Sequence, residues 1–366
     1  MHSDLLLVIV VATALAFDFT NGFHDTANVV ASAISTHALA PRTAIALASV
    51  LNFVGAFISL KVAATIATGI ITAGRVTETI AFAGLVGAIA WNLITWAYGL
   101  PSSSSHALIG GVIGAMLAAV GGAGVQGAGV ITKVVIPAII APVTAFVAAG
   151  LAIVLIYGLF GRRRPGSVTR AFRLGQIGTS SLLALAHGTN DAQKTMGVIT
   201  LALVAHGTLS AQHANVPTWV VITAASAISL GTYAGGWRII RTVGSRIIRM
   251  DAPQGFAAQA SGAAVILFSS HLGYPLSSTH VISGGVMGAG AAKRLSAVRW
   301  GVAGGIAAAW VVTLPAAGLF GALAYAIASA FGNGVLGPVL MTVLALGALA
   351  VTLVTRRRMV AGATSA

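Results

Sequence analysis

The segment Gly22-Phe23-His24-Asp25-Thr26-Ala27-Asn28 decides the reading of this chain, because it returns in altered form as Gly188-Thr189-Asn190-Asp191-Ala192-Gln193-Lys194. A second element is also duplicated, as Pro101-Ser102-Ser103-Ser104-Ser105-His106 and Pro275-Leu276-Ser277-Ser278-Thr279-His280. Both of its copies run on into Gly-Gly-Val-x-Gly, at 110–114 and 284–288. The order along the chain is acid motif, serine element, acid motif, serine element. Polar clusters at matching places in two halves of an apolar chain are the mark of a transport protein built from repeats.

Composition supplies the solvent. The chain has 366 residues, of which 57% are hydrophobic and only 7% charged, and its mean hydropathy is +0.96. A water-soluble fold of that length needs far more polar cover, so the environment of this chain is lipid. The runs 44–60, 80–100, 134–160, 219–234, 300–327 and 336–354 are long enough, or nearly so, to cross about 30 Å of hydrocarbon as helices. They are continuous rather than alternating, which excludes an outer-membrane β-barrel. Forty-five glycines, with many alanines and serines, suit close helix packing in lipid.

The net charge of +14 is not a nucleic-acid signal here. The cations gather between apolar runs: Arg162, Arg163, Arg164, Arg170 and Arg173, then Arg238, Arg241, Arg246 and Arg249, then Lys293, Arg294 and Arg299, then Arg356, Arg357 and Arg358. That is the distribution expected of cytoplasmic loops, and it places the loop at 162–173 in the cytoplasm. There is no cysteine, so thiol and disulfide chemistry do not arise. The apolar stretch 5–17 has the length of a signal-peptide core. It lacks a basic leader and runs straight into the polar motif, so it reads as half of a broken first helix.

The expected organisation is a first repeat over 1–160, with its acid motif at 18–28 and serine element at 101–114. A basic connector follows at 161–173. The second repeat covers 174–330, with its acid motif at 187–197 and serine element at 275–288, and a last span with a basic tail fills 331–366. The fold class is an all-α polytopic membrane protein of about 10–12 membrane segments. An odd number of crossings per half makes the repeats inverted, an arrangement that gives two states of nearly equal energy.

Six acidic residues exist, and Asp4, Glu78 and Asp251 read as solvated loop residues. Asp25 and Asp191 lie at membrane depth, where a carboxylate costs about 2.5–3.5 kcal/mol and marks ion or proton pathways. Asp18 has no counterpart, since Ala184 takes its place in the second repeat; a helix-end role and a site role both stay open. Gly22 and Gly188 permit unwound backbone beside the acids. Asn21, Thr26, Asn28, Thr189, Asn190 and Gln193 supply amide and hydroxyl oxygens suited to a hard monovalent cation or a proton relay, and not to a tightly bound metal.

Pro101 and Pro275 fit the first turn of a helix. Ser102, Ser103, Ser104 and Ser105, with Ser277, Ser278 and Thr279, would then crowd two helix N-termini, where free N–H groups, hydroxyls and the positive dipole end form an anion cradle. Capping alone is the plainer reading of those serines. It does not need the recurring histidine and glycines. His106 and His280 follow the cradles, while His24 and His187 flank the acids; each is a candidate proton carrier, although a lone buried histidine is more often a satisfied hydrogen-bonder. Lys194 stands where the first repeat has Asn28, three residues after the acid. An ammonium at membrane depth must pair, with Asp191 or Asp25, and it can sit where a transported sodium would otherwise bind or contact the anion directly.

Gly-x-x-Asp-x-Ala-Asn at 22–28, the related Asn190-Asp191 copy and the two Pro-x-Ser-Ser-x-His elements resemble the inorganic phosphate transporter (PiT) family over nearly the whole chain. The resemblance implies a homodimeric helical carrier with re-entrant hairpins bearing the serines at 101–114 and 275–288, and a midplane phosphate site. The signature acids fall on Asp25 and Asp191 and the hairpin serines on Ser103, Ser104, Ser277 and Ser278. His24 and Lys194 stand where sodium-coupled members have Asn. The pattern is similar to bacterial low-affinity carriers, which are proton symporters of the cytoplasmic membrane and take phosphate partly as a divalent-metal complex. No cofactor is expected beyond a co-transported proton or sodium ion. Sodium-coupled phosphate symport and sulfate transport on the same scaffold are the rivals. A carboxylate-dyad intramembrane hydrolase needs only one set of serines, a passive channel would not accumulate its solute, and no Walker A pattern exists for ATP-driven transport.

Overall fold

The computed structural model describes residues 2–210, 215–332 and 334–347. The arginines at 356–358 and the end of the last apolar run lie outside the described residues. What is described is helical, apart from one isolated antiparallel bridge between Ile71 and Val125. In chain order the helices are α1 (His2–Ser35), α2 (Pro41–Gly55), α3 (Lys61–Thr68), α4 (Glu78–Tyr98), α5 (Ser104–Val120), α6 (Gly127–Val130), α7 (Ile136–Phe160), α8 (Pro165–Ala205), α9 (Thr218–Ala234), α10 (Trp237–Arg241), α11 (Ala252–His271), α12 (Ser278–Lys293) and α13 (Trp300–Ser329). A shorter apolar helix, Leu336–Gly347, closes the described chain.

Local chemistry explains the boundaries. Thr77 caps α4 by accepting from the Ile80 amide, and Gly99, at φ +65°, ends it in the left-handed region open to glycine. Asp251 and Gln254 form a reciprocal capping box at the start of α11. Five described helices or helix runs are individually long and apolar enough to span a bilayer, and the bent pair of α9 with 237–246 makes a sixth. The others are too short or too polar to pass that test. The expected 10–12 segments are reached only when α2, α3, α8, α11, α12 and Leu336–Gly347 are counted beside these six.

Two expectations are corrected. The acid motifs do not sit on broken helices: α1 runs unbroken through Asp25 and α8 through Asp191. The sharp break lies between α9 and α10, a bend of 60°. Glycine next to the acids serves close approach instead. A Cβ on Gly22 would stand 2.3 Å from the Ile228 carbonyl oxygen on α9, and one on Gly188 2.1 Å from the Asn52 carbonyl oxygen on α2. The basic connector is also shorter than the sequence suggested. From Pro165 onward it is already α8, and Arg173 Nε donates to the Thr36 carbonyl at 2.8 Å.

The core is divided in two. One apolar cluster takes Leu6–Phe17 of α1, Ala192–Leu203 of α8 and the inner faces of α3, α4, α5 and α9. The other takes Ala27–Ala31 of α1, Leu183–Ala186 of α8 and faces of α2, α7, α11 and α12. Both clusters stop short of 18–26 on α1 and 187–191 on α8, so a polar belt lies between two dry halves. The ends of the molecule differ as well. At one, Tyr157 and Lys293 meet Asp251 at 2.8 and 2.9 Å amid the arginine clusters. At the other, His206 lies 2.7 Å from Glu78 and 3.4 Å from Asp4.

Two helix glycines should answer oppositely to alanine. Gly178 has nothing within 4 Å of a new Cβ, so Gly178→Ala should stabilise the detergent-solubilised protein by up to about 1 kcal/mol through helix propensity. Gly188→Ala must push the α2 backbone away and should cost about 1–3 kcal/mol. Paired thermal melts check the difference in sign.

Candidate functional site

Asp25 and Asp191, far apart in sequence, meet at the tips of the two hairpins. α1 and α8 carry the acids at the level of the polar belt, and α5 and α12 bring their first turns against them. Ser278 Oγ lies 3.3 Å from Asp25 Oδ2 and 3.0 Å from Asp191 Oδ2, so this one hydroxyl faces both carboxylates. Ser104 Oγ donates to Asp25 Oδ2 at 2.6 Å. Ser105 reaches Asp191 Oδ1 at 3.5 Å and Thr279 reaches Asp25 Oδ1 at 3.5 Å. All of these side chains are buried.

Nitrogen atoms also stand close to both acids. His24 Nδ1 stands 2.7 Å from Asp25 Oδ1, and its Nε2 lies 3.2 Å from Thr95 Oγ1 and 3.4 Å from Ser102 Oγ. His187 Nε2 lies 2.8 Å from Asp191 Oδ2, and its Nδ1 lies 3.2 Å from Asn52 Oδ1. Lys194, also buried, pairs with Asp191 and donates to Ser105 Oγ and, at 2.7 Å, to the Leu276 carbonyl. Asn28 Nδ2 donates to Thr279 Oγ1 at 2.9 Å and reaches Ser278 at 3.3 Å. One oxygen or nitrogen each from Asp25, His187 and Asp191 falls within 4.8 Å of the others, a spacing fit for a single cation.

Other expected residues take different jobs. Ser103 and Ser277 are N-caps, accepting from the His106 and His280 amides at 3.1 and 3.3 Å. Their hydroxyls therefore stand outside the cluster. Gln193 donates to the Thr189 carbonyl, and its Oε1 accepts from the Val62 and Ala63 amides at 2.9 and 3.2 Å, satisfying the exposed start of α3. Thr189 donates to the Gly55 and Leu185 carbonyls. Asn21 Oδ1 and both amide atoms of Asn190 are buried without a partner. His106 and His280 pack ring to ring, 4.8 Å between centroids, and His280 stacks on Trp310 at 4.1 Å. They join the two hairpins to each other, and neither ring hydrogen-bonds an aspartate.

Sequence reasoning missed Asn52, Thr95 and the Leu276 carbonyl. Asn52 is the one amide in the apolar run 44–60, and that is a usable signal. Thr95 is less visible, because threonine is ordinary in a membrane helix. A carbonyl has no side-chain signature at all.

A helical, lipid-embedded chain with duplicated acids and helix-tip hydroxyls gathered in one buried cluster is a multi-pass membrane transporter. Residues 21–321 match the phosphate transporter family, PHO4. A probable low-affinity inorganic phosphate transporter of Mycobacterium leprae is 57% identical over 90% of this chain and 79% of its own length. One of Bacillus subtilis, with the same description, is 45% identical over 88% of this chain and 97% of its own length. A solved sodium-dependent phosphate transporter superposes with a TM-score of 0.77 at 25% identity, covering 88% of this chain and 98% of the other. The chain belongs to the phosphate transporter family, whose members carry solute and are not enzymes.

The division between caps and cluster is testable. Ser103→Ala and Ser277→Ala should each cost about 1 kcal/mol of stability, the usual loss of an N-cap, and leave the apparent affinity for phosphate alone. Ser278→Ala removes a bond to a charged group, about 1.5–3 kcal/mol, and should raise the half-saturating phosphate concentration roughly tenfold or more. Concentration-dependent uptake with thermal melts separates the two groups.

Proposed function

We propose that this protein imports inorganic phosphate across the cytoplasmic membrane of a prokaryote, driven by protons. The observation that carries the reading is Ser278 between Asp25 and Asp191, with Lys194 on the second acid. Protonated phosphate carries both acceptor oxygens and O–H donors. Ser104, Ser105, Ser278 and Thr279 would turn from the carboxylates to phosphate oxygens, while phosphate O–H groups would donate to the carboxylates. Binding is then an exchange of hydrogen-bond partners, which suits a reversible carrier. Sulfate at neutral pH has no proton to donate and would face two acceptors unrelieved.

Proton coupling is supported by Lys194. Its ammonium fills, with fixed charge, the position beside Asp191 that a sodium ion would take. The Asp25, His187 and Asp191 trio favours a second form of the cargo, a divalent-metal complex of phosphate. The orientation rests on charge: the end holding the arginine clusters faces the cytoplasm, so Asp4, Glu78 and His206 face outward. An inverted repeat is part of the proposal. In its support, α4–α5 opens toward the outward end, near Glu78, and α11–α12 toward the arginine end, near Asp251 and Lys293. The homodimer belongs to the same proposal and rests on the resemblance.

Radiolabelled phosphate uptake into proteoliposomes tests this. Accumulation should follow an imposed pH gradient, ignore a sodium gradient and resist excess cold sulfate. Uptake driven by sodium alone would remove the proton reading, and competition by sulfate would remove the specificity argument. Lys194→Asn should abolish pH-driven accumulation, because it leaves Asp191 without its fixed counter-charge; breaking a buried pair costs about 3–5 kcal/mol.

A further inference from the structure

Asp18 is a buried acid that the phosphate cluster does not use. It lies inside α1 rather than at a helix end, and it is fully buried. Its polar neighbours are Asn21 on the same helix and Thr195 on α8. Neither carboxyl oxygen has a partner at hydrogen-bond geometry, and the same holds for Asn21 Oδ1 and Thr195 Oγ1. The ammonium that acts on it from α8, Lys194, is held by Asp191, Ser105 and the Leu276 carbonyl. The other charged group acting on it is Asp191, which has the same sign. α9, packed along α1, carries no charged residue. The acid of α4, Glu78, is at the outward end against His206, and the imidazoles of α5 and α12 face each other.

An ionised carboxylate so placed is an uncompensated buried charge, whereas a neutral carboxyl is only a polar group short of partners. Position adds the second half of the argument. Asp18 precedes Asp25 by seven residues, so both lie on one stripe of α1, about 10 Å apart along the axis. Asp18 is the outward member of that pair, between Asp4 and the phosphate cluster.

We propose that Asp18 is the site of the co-transported proton, separate from the carboxylates that hold phosphate. The inference rests on the proton-coupled reading above. The outward-open protein takes a proton from external water onto an Asp18 oxygen, which neutralises the carboxyl and lets α1 and α8 close over it. The inward-open protein exposes Asp18, the O–H bond breaks, and the proton leaves to cytoplasmic water while the carboxylate is hydrated. Closure without the proton would bury the charge, so movement is tied to loading. Asn21 and Thr195 supply the polar wall that orients the carboxyl.

The test uses full-length wild type and Asp18→Asn in proteoliposomes, with inorganic phosphate as the probe. The amide mimics the neutral carboxyl, so Asp18→Asn should exchange labelled for unlabelled phosphate within about twofold of wild type. A one-unit pH gradient should give about tenfold accumulation per coupled proton in wild type, and none in the variant. Exchange by the variant should also lose the wild-type dependence on pH. Asp18→Glu should restore accumulation, a rescue that a merely structural role would not produce. pH-driven accumulation by Asp18→Asn overturns the Asp18 assignment and leaves proton coupling standing. Wild type driven only by sodium overturns the proton reading and this inference with it. Should Asp18→Asn fail to insert, infrared difference spectra of wild type and Asp18→Glu decide. A neutral carboxylic C=O band that moves with the added methylene supports the assignment, and its absence from the closed protein overturns it.

Discussion

Two carboxylates at membrane depth are the constraint on which the structure depends. Water cannot solvate Asp25 or Asp191 in the closed core, so every lone pair must find a donor or an opposite charge within the protein. No single element can provide that many partners. Asp25 draws on its own helix for His24, on α5 for Ser104 and on α12 for Ser278 and Thr279. Asp191 draws on His187 and Lys194 of α8 and on both hairpins. Satisfying the acids therefore demands that four separate helices converge, while Gly22 and Gly188 let α9 and α2 pack closely against α1 and α8.

The divided core follows from the same demand. Had the apolar clusters been continuous along α1 and α8, the acids would face hydrocarbon. Instead each helix is apolar above and below a polar belt, and the belts coincide at the level of the hairpin tips. The two halves of the bundle are stiff and dry, while the contacts between them are hydroxyl-to-carboxylate bonds. On the proposed reading, an oxyanion with its own donors would take the place of those bonds. His106 against His280 and Trp310 ties the hairpins together just behind the tips, so the two sets of hydroxyls are mechanically linked.

The duplicated acids and serines were legible because polar residues in so apolar a chain have few innocent explanations, and repetition removes most of those. Their meeting around Ser278 was expected only in outline. Glycine misled: Gly22 and Gly188 suggest unwinding, yet they lie in unbroken helix and mark where another backbone touches. The serines misled in part, since Ser103 and Ser277 have the same chemistry as Ser104 and Ser278 and differ only by one position at the helix start. That position decides whether a hydroxyl turns back to its own amides or forward to the acids. Gln193 was unreadable for a similar reason. It follows the acid in sequence but points the other way, to the backbone of α3. Asp18 was left open because the repeat offered no counterpart. Its place inside the unbroken α1 shows that it is no helix-end residue.

The position three residues after each acid shows how the repeats share work and where they differ. Asn28 of the first repeat reaches Ser278 and Thr279 of the second, and Lys194 of the second reaches Ser105 of the first. The geometry is crossed and nearly reciprocal, so the symmetry survives the substitution of amide by ammonium. The charge does not. With Asn in both places the cluster would hold two carboxylates and no fixed cation, and an arriving phosphate would add to an uncompensated pair of negatives. Lys194 cancels one of them permanently. On the proposed reading the cluster then asks for less cation with each phosphate, and what it still lacks would be met by protons, on phosphate itself or on a carboxyl nearby. On the proposed reading, this single residue, held by Asp191, Ser105 and the Leu276 carbonyl, would set how much positive charge must travel with the substrate.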